Sequence, residues 1–155
     1  MSAPSREEIE QQVQEDLMRL DAYRNQLSQM IQQHQMLAAS RADHLRAREA
    51  LHGLEAARDD ADVLLPLGGE AYIHGRPDRS GPVFLGIGAG YVAELDRPLA
   101  AERLAERTKQ IETAARDLEA QILQVEERMT ILRRRVESLD ARSAGEPAQG
   151  DVGRH

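Results

Sequence analysis

Few residue types in this chain are equipped for bond chemistry, and their spacing does not bring them together. His34, His44, His52 and His74 are the candidate metal ligands. A metal site needs several such donors converging on one point. His44 and His52 stand on one predicted helix, and no Asp or Glu completes a set around them. His34 falls in an apolar seam, where histidine usually packs or is solvated. Cysteine is absent, which excludes a disulfide framework and a thiolate zinc site. The stretch Gly86-Ile87-Gly88-Ala89-Gly90 has the glycines of a phosphate cradle. A dinucleotide fingerprint, however, opens a helix whose N-terminus meets the phosphate. Here a strand is predicted to follow, so the glycines read as tight-turn residues. Nothing groups Ser, His and Asp as a triad. The expectation is no enzyme, no cofactor and no metal.

Apolar contact is what remains, and composition limits its form. Of 155 residues, 41% are hydrophobic but only 3% aromatic: three Tyr, one Phe and no Trp. Aromatics bury the most area per residue. Elongated helices or an obligate oligomer therefore fit better than a self-sufficient globule. A net charge of −7 argues against tight nucleic-acid binding, which needs clustered cations. No apolar run nears the roughly 20 residues that span a bilayer. The first residues lack the apolar centre of a signal peptide. A cytoplasmic protein with no nucleic-acid or membrane partner is expected.

Between Asp62 and Pro98 lie seven of the eleven glycines and four of the six prolines. The flanks are rich in Ala, Glu, Gln, Arg and Leu, all strong helix formers. This predicts a first helix over 5–61, two β-hairpins over 62–97, a second helix over 98–142 and a disordered tail over 143–155. Ser5 and Glu8 match a capping box. The first stripe runs Ile9, Val13, Leu17, Leu20, Leu27, Ile31, Ala38 and Leu45. Arg24, His34, Arg41 and Arg48 interrupt it, and Leu51, Leu54 and Ala61 resume it on a rotated face, as a stutter would. The second helix carries two heptad columns. One is Leu104, Ile111, Leu118, Val125, Leu132 and Leu139; the other is Thr108, Ala115, Ile122, Met129 and Val136. Folding back with Ala61 facing Pro98 sets Leu20 against Leu139. Residues 5–16 then have no partner, so Ile9 and Val13 extend past the seam. Met18, Met30 and Met36 add adaptable apolar surface.

The insert reads as Val63–Leu67 and Ala71–His74 joined at Gly68-Gly69, then Pro82–Ile87 and Tyr91–Leu95 joined at Gly88–Gly90. Apolar side chains occupy both faces of these strands. Exposed edges of this composition would aggregate, so strands from other subunits are expected to cover them.

The segments DVLLPLGGEAYIHGR and GPVFLGIGAGYVAEL, set between two heptad helices, resemble the α-type subunit of archaeal prefoldin. The resemblance covers the chain from Ser5 to about Ala141. It implies an α+β fold: a long antiparallel two-helix coiled coil with two hairpins inserted, the hairpins assembling into an intersubunit β-barrel. It also implies a hetero-hexamer of two α-type and four β-type subunits. Such a complex holds unfolded polypeptides at the coiled-coil tips without ATP and passes them to a cytosolic group II chaperonin. The residues expected at the assembly surface are Val63, Leu65, Leu67, Tyr72, Ile73, Val83, Phe84, Leu85, Ile87, Tyr91 and Val92. Those expected to contact clients are Ile9, Val13, Leu17, Val136 and Leu139. The alternatives are a structural coiled-coil tether and a small nucleotide-dependent enzyme.

Overall fold

The computed structural model describes residues 4–145. Helices α1 (Arg6–Ala56) and α2 (Arg97–Gly145) flank four strands: β1 (Val63–Gly68), β2 (Ala71–Gly75), β3 (Val83–Gly88) and β4 (Tyr91–Leu95). The start of α1 is the expected capping box. Ser5 Oγ accepts from the Glu8 amide at 3.3 Å, and Glu8 Oε2 accepts from the Ser5 amide at 2.7 Å. At the start of α2, Asp96 Oδ1 accepts from the Leu99 amide at 3.2 Å.

The helix ends depart from the expected bounds. α1 stops at Ala56, five residues before 61. Arg79, from the link between the hairpins, donates to the carbonyls of Leu54 (2.9 Å) and Glu55 (3.0 Å) and pairs with Asp59 (2.8 Å). Those last-turn carbonyls thus find a guanidinium instead of another helical turn. α2 runs on to Gly145, past the expected 142, because no breaker precedes that glycine. The rest of the predicted tail, 146–155, lies outside the described residues.

The strands form two separate antiparallel hairpins, β1–β2 and β3–β4. The first turn sits one residue later than its Gly68-Gly69 pair suggests, and the second falls within the expected Gly88–Gly90. Pro66 pairs with Tyr72 and Gly68 with Ala71, so Gly69 and Glu70 are the central turn residues, at φ 56° and 62°. Gly68, at φ 97°, takes up the register shift as a bulge. The second hairpin repeats this, with Gly88 at the bulge and Ala89 and Gly90 at φ 50° and 80°. Both central positions of such a turn need positive φ. Ala89 therefore carries a left-handed strain on the order of 1 kcal/mol. Ala89→Gly is expected to stabilise the chain by roughly 0.5 kcal/mol once glycine's extra unfolded-state entropy is subtracted, and so to raise the thermal midpoint, whereas Ala89→Val lowers it. Melting of both variants beside the parent chain checks the sign.

On α2 both predicted columns are covered. Leu104, Leu118, Val125, Met129, Leu132 and Leu139 are buried, while Ile111, Ala115, Ile122 and Val136 are half-buried. Thr108 is also buried and donates its hydroxyl to the Leu104 carbonyl at 2.8 Å. On α1 one column is displaced. The covered residues are Ile9, Asp16, Tyr23, Met30, Leu37, His44 and Leu51, each seven after the last, alternating with Val13, Leu20, Leu27 and His34. Leu17 and Ile31, expected in the seam, are 42% and 41% exposed, and Met30, expected on the surface, is buried. Asp16, His44 and Tyr23 at core positions make this column hard to see. Leu51 belongs to it in phase, so no stutter is needed.

The chain forms two compact units, one from residues up to Gln35 and from Arg116 onward, the other from Met36–Ala115. In the first, the helix stretches run antiparallel: Asp16 pairs with Arg135, and His34 Nε2 lies 2.8 Å from Glu119 Oε1. The expected register sets Asp16 opposite Ser143. The observed one is about two turns different, which follows from the early end of α1. In the second unit Arg41 Nε donates to Glu112 Oε1 at 2.8 Å.

Candidate functional site

Among the described residues, most of the exposed large apolar side chains lie on the hairpins. Along β3, Val83 and Leu85 are half-buried while Phe84 and Ile87 are open; on β4, Tyr91 and Val92 are open and Ala93 and Leu95 are half-buried. Phe84 is 69% exposed and Tyr91 70%. Period-2 alternation explains Phe84 and Val92: Val83, Leu85, Ala93 and Leu95 share one face, and Phe84, Gly86, Val92 and Glu94 the other, while Ile87 and Tyr91 lie at the register shift next to the turn. In the first hairpin Leu65 pairs across to Ile73, and Leu65, Leu67, Tyr72 and Ile73 are all exposed, with Val63 half-buried. Leu64, 60% exposed, joins them and was absent from the expected surface. Its place in the run Val63-Leu64-Leu65 could have revealed it. Within the described residues each sheet has only two strands, so each keeps unpaired edges. Apolar patches of this kind mark interaction surfaces.

Arginines hold the hairpins in place inside their unit. Arg107 Nη1 donates to the Gly86 carbonyl at 2.6 Å, in the middle of β3. Arg97 donates to the carbonyls of Asp78 (2.7 Å) and Gly81 (3.3 Å). The planar, permanently charged fork suits such backbone contacts. Asp78 closes the link between the hairpins. Its Oδ1 accepts from the Ser80 hydroxyl at 2.8 Å and from the Ser80 and Gly81 amides at 3.0 Å each. Chiefly the Ser80 hydroxyl, then these amides, hold its carboxyl below the usual carboxylate range. This contribution is complete above that range and fades as pH falls through the lowered value.

The second candidate surface is the end of the helix pair where α1 starts and α2 finishes. Here the expected overhang is not found. Ile9 is only 4% exposed and Leu139 9%, while Val13 and Val136 are half-buried. Ile9 and Val13 line an open groove of about 620 Å³ with Glu7, Glu10, Gln14, Asp140 and Ser143. Of the five expected client contacts, Leu17 alone is exposed, with Met18 beside it. The reason is the register: α2 reaches far enough to cover the first turns of α1.

The same end contains a charged core pair. Asp16 is fully buried, and its two oxygens accept from Arg135 Nε and Nη2. Arg19 Nη1 stands 3.8 Å away. The contact with Asp16 holds the Arg135 guanidinium above its ordinary pKa. The histidines are dispersed. His34 faces Glu119, His44 Nδ1 donates to the Ser40 carbonyl at 2.7 Å, and His52 lies 4.0 Å from Glu55. Among the described residues no three His, Cys, Asp or Glu side chains converge as a metal site, and no helix is long and apolar enough to cross a membrane.

Comparison with known proteins places this arrangement. A family model described as Prefoldin subunit matches residues 23–141. The prefoldin subunit alpha of Methanoculleus marisnigri is 32% identical over 121 residues, covering 78% of this chain and 80% of that protein. That of Nitrosopumilus maritimus is 33% identical over 108 residues, covering 61% and 74%. In three dimensions the chain is similar to a filamentous PFD from Methanocaldococcus jannaschii. The TM-score is 0.63 at 22% identity, over 74% of this chain and 94% of that one.

Proposed function

Because this chain belongs to the prefoldin family, a family of non-enzymatic chaperone subunits, we propose that it is the α-type subunit of an ATP-independent holdase. Its two hairpins join those of four β-type subunits and a second copy of itself in an intersubunit β-barrel. The helix ends of the hexamer capture unfolded polypeptide in the cytoplasm and release it to a group II chaperonin. The observation that supports this most is the exposed apolar surface of both hairpins, while the buried apolar residues among those described all lie on the two helices. Ile9, Val13, Leu17, Val136 and Leu139 form the client surface. Leu17 meets clients as it stands, Ile9 and Val13 come within reach when the end of the pair opens, and Val136 and Leu139 border them. Apolar contact is non-directional, so it accepts many sequences. Each buried side chain contributes on the order of 1.5–3 kcal/mol before ordering costs, and several ends closing on one client add avidity.

The test is light scattering from a chemically unfolded client, with the mass of the complex measured in parallel. The hexamer formed with a β-type subunit is expected to suppress aggregation. A variant carrying Ile9→Ser, Val13→Ser and Leu17→Ser suppresses it less at unchanged mass. A parent complex that assembles yet leaves aggregation as fast as in buffer would reduce the chain to a structural tether.

A further inference from the structure

The helix pair has a second register that its own residues support equally well in pattern. In the observed one, Asp16–Arg135 and His34–Glu119 bring Leu20 level with Leu132 and Val13 level with Leu139. Move α1 by one heptad toward the end where it starts, and both seam columns of α2 stay in phase. Leu20 then meets Leu139 and Leu27 meets Leu132. The charged pairs are also renewed. Arg142 stands seven residues beyond Arg135, and Glu126 seven beyond Glu119, so Asp16 and His34 again face opposite charge. The apolar pattern and the two polar breaks of this unit therefore do not separate the registers. Helix ends and connections do.

We infer that α1 slides by one heptad along α2, and that this slide uncovers Ile9 and Val13. The displacement is about 10.5 Å, at about 1.5 Å per residue. Val13 and Ile9 then move beyond the level of Gly145, the last described residue of α2. The segment 57–62, which carries neither helix nor strand and doubles back through the Arg58–Ala61 hydrogen bond, supplies the slack. At about 3.3 Å per extended residue its six residues reach about 20 Å. Arg79 opposes the slide by holding the last carbonyls of α1. Two discrete registers then stand in place of gradual fraying. One is closed, with Ile9 buried; the other is open at the same site. The link to client capture rests on the holdase reading; the slide itself does not.

The absence of cysteine allows each register to be trapped in the full chain by an introduced pair. Leu20→Cys with Leu132→Cys reports the closed register, Leu20→Cys with Leu139→Cys the open one, and Leu20→Cys with Val136→Cys is out of phase with both. Under mild oxidation the open pair is expected to crosslink at roughly a thousandth to a hundredth of the closed pair's rate, as a sparsely populated minor state dictates. Arg135→Ala removes the closed register's partner for Asp16 and is expected to accelerate the open pair but not the out-of-phase pair. An open pair no faster than the out-of-phase pair overturns the slide. With the slide established, the chain locked by Leu20→Cys/Leu132→Cys is expected to hold less client than its reduced form. Equal holding by locked and reduced chains overturns the link to capture. A parent complex with no holding at all rejects the holdase reading, while crosslinking still decides the slide.

Discussion

Replacing Arg135 with alanine is expected to destabilise the helix pair by about 3 kcal/mol, the lower end of what removing one partner of a buried ion pair costs. Asp16 has no exposed surface, and both its oxygens accept from Arg135. Truncation leaves a buried carboxylate with Arg19 as the remaining cation nearby, at 3.8 Å. The Arg135 side chain is itself 42% exposed, so water enters when it is removed, which keeps the cost at the lower end. Asp16→Leu has the opposite sign. It places an apolar residue on a covered heptad column and leaves a guanidinium that water already reaches. It is expected to be neutral or stabilising by on the order of 1 kcal/mol. Asp16→Leu combined with Arg135→Ala then recovers most of the loss. Thermal and urea unfolding followed by far-UV circular dichroism measures all three. An Arg135→Ala chain that melts like the parent would show that Asp16 is not sealed in the seam.

Phe84→Asp is expected to abolish assembly with β-type hairpins while leaving the helical signal intact. Phe84 lies on the open face of β3 opposite Glu94, and at 69% exposure its own chain covers little of it. In the isolated chain the substitution exchanges one solvated side chain for another. In the proposed barrel it removes a buried aromatic and forces a carboxylate into an apolar interface beside an existing one. A loss of about 3 kcal/mol or more is at least about a hundredfold in association. Native mass spectrometry reads the complex, and circular dichroism reads the helices. A full-mass complex of parental stability would remove this face from the assembly surface.

Much of this could be read from residue order. The capping box at Ser5 and Glu8 needs only a three-residue spacing, and Asp96 announces α2 in the same local way. Both columns of α2 were visible because they are apolar almost throughout, and the strands were visible from the glycines that bound them. The displaced column of α1 was not. A reader of hydrophobicity passes over Asp16 and takes Leu17 in its place, because nothing local says that Arg135 will neutralise the carboxylate.

By itself, then, the sequence determined the element types, the α2 seam, the two hairpins and their apolar faces. Each depends on contacts within a few residues or on a strict repeat. The tertiary structure alone decided the register of α1 on α2, the end of α1 and the phase of the first hairpin turn. A heptad repeat looks the same after a shift of seven, so its apolar columns cannot choose between neighbouring registers. The choice falls to the helix ends and their connections, chiefly Arg79, far along the chain, holding the Leu54 and Glu55 carbonyls. That choice covers Ile9, which the repeat alone would have left open.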